Sequence, residues 1–429
     1  MATKFTRIRT ARVRGTKFEV RSRLRTSYFV LRTFVLAALA ATLHSTSIVA
    51  QTLTHRGFLE GVAFGFPQEA PNDRTRLVGD SLAREEAFFK PAPWIQLAGG
   101  VDLRANSHEQ VEDRWRVDFG DRGARRPRLS VRRASATIAR GPLTVDAGKQ
   151  FIRWGKTDII TPTDRFAPRD FLNVVDNEFL AVAGVRAVAQ FRNDTLEAVW
   201  VPRFTPSRVP LLHQRWVVVP ADIAALPIVQ IPATLPEGSQ TGFRWSHVGA
   251  GFEYAAAFFD GFNHLPTIDR GLIYPPIRMY GADAAVPTRW FTITVEAAYF
   301  TSPSLAADEY ILYVVQIERQ TGEWVLLGGY AGEAVTERRA PLTFAPDRGL
   351  TRSIVGRASY TLDVNRSLAV EGAFRQNGAG GYAKLEYSQA RGQHWRTTLT
   401  AVGIAGHADD FLGQFNRNSH VAATVRYSF

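Results

Sequence analysis

The chain has 429 residues, 52 Lys and Arg against 40 Asp and Glu, a net charge of +12 at pH 7 and no cysteine. Length allows two or three domains, and the charge points to nucleic acid or an acidic membrane surface. The absence of cysteine excludes a disulfide scaffold, a Cys-ligated zinc or iron–sulfur centre and a thiol nucleophile. No stretch offers the ~18 successive apolar residues of a spanning helix.

The N-terminus changes the meaning of the charge. Residues 1–33 carry ten basic side chains against Glu19 alone, which accounts for nine of the twelve net charges. The uncharged run Phe34–Leu43 follows, then Ser45-Thr-Ser-Ile-Val-Ala50. A basic region, an apolar run of ~10 residues and a small-residue exit describe a secretory signal peptide. Residues 1–50 are therefore expected to be removed, with the cut after Ala50. The 379 residues of 51–429 carry only +3, so nucleic acid is not an expected partner.

Those residues alternate with period two, as half-buried strands do. Ile95, Leu97, Gly99, Val101 and Leu103 oppose Gln96, Ala98, Asp102 and Arg104. Phe291, Ile293, Val295, Ala297 and Tyr299 oppose Thr292, Thr294 and Glu296. Charged residues on the second face of so many strands argue against a soluble sandwich. A secreted chain with these strands fits an all-β transmembrane antiparallel barrel, apolar towards lipid and polar towards a watery lumen. Open sheet edges cannot face lipid, so the strands must close.

Eighteen strands are expected, at 57–67, 80–90, 94–105, 126–139, 143–155, 180–191, 195–203, 241–249, 252–261, 276–286, 290–301, 309–319, 323–334, 353–362, 367–376, 381–390, 394–404 and 419–429. Those at 80–90 and 126–139 alternate poorly, so sixteen strands with 51–92 outside the wall is the alternative count. Short turns rich in Gly, Pro, Asn and Asp alternate with long connections, which matches short periplasmic turns and long outer loops. Trp94, Trp290, Trp324 and Trp395 stand beside short turns, where an aromatic girdle belongs.

Two long connections draw attention. Residues 157–179 carry Asp158, Asp164, Arg165, Arg169, Asp170, Asp176 and Glu178. Both signs of charge on one loop suggest an inward-folded constriction that orients polar solutes; the alternative is an outer loop held by its own salt bridges. Residues 203–240 are apolar at Trp216–Val219, Ile223–Leu226 and Ile228–Ile231. Such a patch needs cover, as a plug in the lumen, a lid on the mouth or a hairpin packed on other loops. The polar faces of the strands nominate Asp102, Arg104, Arg186, Glu296, Arg357, Glu371, Arg375, Lys384 and Arg426 for the lumen wall. Their mixed signs fit weak charge selectivity. The nine His form no metal-binding or triad spacing, so no catalytic residue, metal or cofactor is assigned and the chain is not expected to be an enzyme.

Two stretches resemble known proteins. Arg426-Tyr-Ser-Phe429, with Val425 and Ala423, resembles the C-terminal signal of Gram-negative outer-membrane β-barrels. The resemblance implies that Tyr427 and Phe429 are read by the barrel-assembly machinery. Gly148-Lys-Gln-Phe-Ile-Arg-Trp-Gly155, followed by Asp158, Pro162-Thr-Asp164 and Pro168-Arg-Asp170, is similar to the G-x-Q-x-x-x-W-G…P-x-D segment of uncharacterised porin-like proteins. The expected function is passive diffusion of small polar or ionic solutes through the outer membrane. A non-conducting surface barrel for recognition or adhesion is the alternative.

Overall fold

The computed structural model describes residues 53–217, 233–268, 271–339 and 345–429. The leader, and Val218–Ile231 of the apolar connection, lie outside these residues. Eighteen long strands form the wall: β1 (Leu53–Gly65), β2 (Leu77–Ala92), β3 (Ile95–Asn106), β4 (Leu129–Arg140), β5 (Leu143–Gln150), β6 (Val182–Phe191), β7 (Asp194–Val201), β8 (Gln240–Gly249) and β9 (Phe252–Phe262). They continue as β10 (Pro276–Pro287), β11 (Thr292–Thr301), β12 (Glu309–Thr321), β13 (Trp324–Glu337), β14 (Ser353–Asp363), β15 (Arg366–Arg375), β16 (Gly380–Arg391), β17 (Trp395–Gly406) and β18 (His420–Ser428).

Each strand pairs antiparallel with the next. The sheet closes where β1 pairs antiparallel with β18, Glu60 opposite Arg426 and Val62 opposite Thr424. Phe429 extends the seam by exchanging two 3.0 Å backbone hydrogen bonds with Gly57. Closure joins the first strand to the last, which is what a sheet in hydrocarbon requires. The count is eighteen, and the sixteen-strand alternative is wrong: β1 and β2 are fully paired from Leu53 with Phe89 to Gly65 with Leu77.

Two strand boundaries differ from the sequence expectation by four residues or more. β1 starts at Leu53 rather than residue 57, because β2 offers Glu86–Phe89 as a pairing edge. β5 ends at Gln150, not 155. Gly148 takes φ +117°, a conformation that L side chains rarely adopt, and a Cβ there would lie 2.2 Å from the Ala134 carbonyl. Two residues later the chain leaves the wall for the lumen. β4 alternates poorly because its register slips between Gly100 and Val101 of β3. This bulge inserts Arg132 beside Arg133, so two successive residues serve the inner face.

Register separates the two faces. Outward-facing Val101, Phe243, Val295, Ile317 and Val421 are exposed and apolar. Trp94, Trp290, Trp324 and Trp395 are exposed close to the short turns. Arg192 sits in the β6–β7 turn with φ +54°, just beyond the end of β6.

Candidate functional site

After Gln150 the third outer connection turns into the barrel, and its first residues explain the tryptophan–glycine motif. The Gln150 amide nitrogen donates to the carbonyls of Asp146 (3.1 Å) and Gly184 (3.2 Å), tying the exit point to two strands. The Trp154 indole donates to Glu197 of β7 at 2.6 Å. The Asp164 carboxylate accepts from the backbone N–H of Trp154 (2.6 Å) and Gly155 (2.7 Å), closing the loop base on itself.

The loop then docks on the β8–β12 side of the wall. Trp154 and Phe166 pack on Phe259, Met279, Phe300 and Leu312, all buried although they lie on the inner face. Trp154 meets Phe166 edge-on at 5.0 Å, and Phe166 meets Phe259 likewise at 4.9 Å. Gly242 of β8 lies under these rings, where a Cβ would sit 2.7 Å from Trp154 and 2.8 Å from Phe166.

Polar contacts fix the same docking. Glu296, wholly buried on β11, accepts from the backbone N–H of Lys156 (2.8 Å), Thr157 (3.0 Å) and Thr163 (2.8 Å). It also accepts from the hydroxyls of Thr157 and Thr163. Charge-assisted bonds of this kind are roughly twice as strong as neutral ones. Asp158 exchanges hydrogen bonds with Gln316 of β12 at 2.9 and 3.0 Å.

Beyond this anchor the loop crosses to other parts of the wall. Asp176 pairs with Lys384 of β16 at 3.1 Å. Glu178 pairs with Arg104 of β3 at 2.8 Å. Burial by itself would raise the Glu178 carboxyl, but Arg104 and Arg84 outweigh it and hold it below the usual range. Between this stretch and the wall lies a cavity of ≈ 440 Å³, lined by Asp176, Asn177 and Glu178 and by Glu60, Asp80, Arg104, Glu371 and Lys384 opposite. A smaller space of ≈ 180 Å³ lies against other residues of the loop, among them Arg165 and Arg169, with His264 and Asp347.

The seven charged loop residues thus divide. Asp158 and Asp164 hold the loop as described, and Arg165 binds Asp347 (3.2 Å) and stacks over Phe300 (4.8 Å). Asp170 is buried between Arg126 (2.8 Å) and Arg208 (3.0 Å). Burial alone would raise its carboxyl, but these two guanidiniums hold it far below the usual range. Arg169 donates to Asn177 and Thr161, each at 3.0 Å, and burial lowers it to about 10. Asp176 and Glu178 border the larger cavity.

All nine nominated wall residues lie on the inner face by register. Asp102 binds Arg84 bidentately (2.7 and 2.8 Å), and Arg186 binds Glu197 bidentately (2.8 Å twice). Arg426 binds Glu60 at 2.7 Å across the closing seam. Arg375 binds Asp410 at 2.8 Å. Arg357 stands opposite Glu371 and is exposed to the lumen.

Sequence reading missed Arg84, Arg132, Arg133 and Phe151. The two successive arginines stack on Phe151 at 4.8 and 5.6 Å. The signal was the broken alternation at 126–139, which marked the bulge. In the fourth outer connection, Trp216 is buried against Val402, Ile404 and Phe415, which brings residue 216 onto the inner face of β17.

The fold has many solved relatives. No family model matches the sequence, and no curated protein matches it. The barrel is similar to solved outer-membrane porins. OccAB4 from Acinetobacter baumannii aligns with a TM-score of 0.54 at 10% identity, over 89% of this chain and all of that one. The outer membrane protein opdK from Pseudomonas aeruginosa gives 0.53 at 9%, over 89% and 100%. A BenF-like porin from Pseudomonas fluorescens Pf-5 gives 0.54 at 8%, over 88% and 97%.

Proposed function

We propose that the protein is an outer-membrane channel through which small polar or ionic solutes diffuse passively, narrowed by residues 157–179. One observation carries the reading: the loop docks on one half of the lumen wall and leaves a cavity of ≈ 440 Å³, lined by charged and apolar side chains, against the other half. A closed barrel with an apolar outer face and a wet interior needs no chemistry to conduct.

Mixed charge in the cavity lining, with Arg104 and Lys384 beside Glu60, Asp80 and Glu371, supports admission of polar solutes with weak charge selectivity. A solved neighbour, OpdK, carries vanillate, which makes small aromatic carboxylates a reasonable first panel of solutes. The porin-like fold also supports a Gram-negative outer-membrane location. On this reading residues 1–50 direct export and are cleaved after Ala50, and the assembly machinery reads Tyr427 and Phe429.

Purified protein in a planar bilayer is expected to insert in steps of ion conductance. Deleting residues 157–179 is expected to enlarge each step. A heat-modifiable, folded barrel that conducts neither with nor without the loop would refute the channel reading and leave surface recognition. N-terminal sequencing of protein from outer membranes is expected to start at Gln51.

A further inference from the structure

The barrel wall has a local defect that conduction does not use. β4 runs outward beyond the end of β5: its last pairing in that direction joins Ala134 to Lys149, and residues 129–133 have no partner on β5. Two problems follow in a membrane. The free backbone groups of β4 would face hydrocarbon, where each costs several kcal/mol. Lys149 alternates with Leu143, Val145 and Ala147 on the outward face of β5, where an ammonium ion is costly.

The second outer connection takes up the outermost two of these residues and covers the lysine. Val117 and Asp118 pair with Leu129 and Ser130 of β4. This pairing is parallel, whereas every neighbouring pair of wall strands is antiparallel, so the segment is a graft from the loop. It covers Lys149, which is 1% exposed. The ammonium donates to the Phe119 carbonyl at 2.8 Å and to Asp121 at 2.5 Å. Asp121 also accepts from Arg208 at 2.7 Å, so the charge beneath the graft is paired.

The outward face of the graft is apolar and largely exposed, with the Arg128 guanidinium 5.1 Å over the Trp115 ring. Trp115, Val117 and Phe119 alternate on it, 62%, 65% and 49% exposed. Val117 is level with Leu129, and Leu129 with Leu103, so the patch continues the apolar outer face of β3. Three large apolar side chains in continuity with a membrane-facing surface fit hydrocarbon.

We propose that residues 115–119 are a piece of the barrel wall, sealing the place where β5 departs and laying Trp115, Val117 and Phe119 against the acyl chains of the outer leaflet. An extracellular loop segment thereby becomes a lipid-contact surface. The proposal rests on the outer-membrane reading for its bilayer.

The chain contains no cysteine, so a single Val117→Cys substitution can carry a nitroxide label in reconstituted bilayers. Collision with oxygen, which concentrates in hydrocarbon, is compared with collision with a water-soluble nickel complex. Val101→Cys serves as the outer-face reference and Leu305→Cys, 81% exposed in a loop, as the aqueous one. The oxygen-to-nickel ratio at Val117→Cys is expected to match Val101→Cys and to exceed Leu305→Cys about tenfold, because hydrocarbon excludes polar solutes. An aqueous ratio at Val117→Cys alone overturns the proposal, and so does shielding from both reagents, which would mean cover by protein or by a second copy. If Val101→Cys also reads as aqueous, the membrane placement fails and the proposal with it. Should Val117→Cys not assemble, brominated lipid chains test Trp115 in the native chain. The quenched fluorescence is expected to fall in Trp115→Phe; an unchanged quenched component overturns the proposal.

Discussion

The two halves of the lumen wall differ in what covers them. From β8 to β12 the inner face carries Phe259, Met279, Phe300 and Leu312, buried under Trp154 and Phe166. From β14 through the seam to β3 it carries Glu371, Lys384, Arg426, Glu60, Arg84, Asp102 and Arg104. The first half is a protein core that happens to lie inside a barrel. The second faces a cavity and is mixed: these charges share it with Val62, Phe64, Val78 and Leu82, and Val402 and Ile404 of β17 are buried under Trp216. A continuous apolar inner face therefore marks where a loop docks, and on the channel reading the charged stretch beside the cavity is where solute would pass.

The sharpest way to break this contrast is at Glu296. Glu296→Ala leaves the backbone N–H groups of Lys156, Thr157 and Thr163 without their acceptor. At about 1–3 kcal/mol for each unsatisfied buried group, the docked loop loses about 3–9 kcal/mol. The loop is expected to leave the wall, with larger and noisier conductance steps and new proteolytic cleavage within 157–179. Phe259→Ala attacks the same docking through packing, at about 3–5 kcal/mol for a buried Phe. It should show a similar but smaller rise in noise. The barrel itself should keep its heat-modifiable mobility in both.

The two halves were not equally legible in the sequence. Strands with one lipid face and one wet face alternate cleanly, so β3, β11 and β18 could be placed to within a residue or two. All nine wall charges could be assigned from parity alone, because a side chain two residues away returns to the same face. The docking half was hidden for the same physical reason. On β9 and β12, apolar residues such as Phe259 and Leu312 face inward against the loop, so alternation cannot reveal that half as a contact surface. The charges at 157–179 were noticed, but whether Asp170 pairs within the loop or with Arg126 and Arg208 depends on contacts 44 and 38 residues away in sequence. The bulge at Arg132 was visible only as a fault in the pattern.

Acid separates the anchors from the passage. The folded Asp170 carboxyl is held below its usual value by Arg126 and Arg208, once burial is overcome. A depressed carboxylate contributes stability that is fully present above the ordinary carboxylate range and is lost only as pH falls through the folded value. Loop docking is therefore expected to survive from pH 7 to about pH 4, the usual carboxylate value. Conductance noise across that range should stay flat in the native chain. Asp170→Asn removes the charge at every pH and leaves two buried guanidiniums short of a partner. It should be noisy already at pH 7, and a native-like trace there would show that Arg126 and Arg208 find other acceptors.

The smallest effect on stability is expected in the polar half. Lys384 and Asp176 are 23% and 39% exposed, and such pairs contribute about 0–1 kcal/mol. Lys384→Ala should leave loop docking and mobility unchanged, unlike Glu296→Ala. It removes one positive charge from the lining of the cavity, so the passage becomes less favourable to anions. The cation-to-anion permeability ratio should rise, by at most about fivefold, which corresponds to about 1 kcal/mol for unit charges ~4 Å apart in water. The reversal potential in a salt gradient measures it, and the shift should shrink as ionic strength rises. A changed ratio with quiet steps would place solute beside Lys384. An unchanged ratio with noisy steps would make the Asp176–Lys384 pair another anchor, and the division of the wall into a docking half and a conducting half would fail at β16.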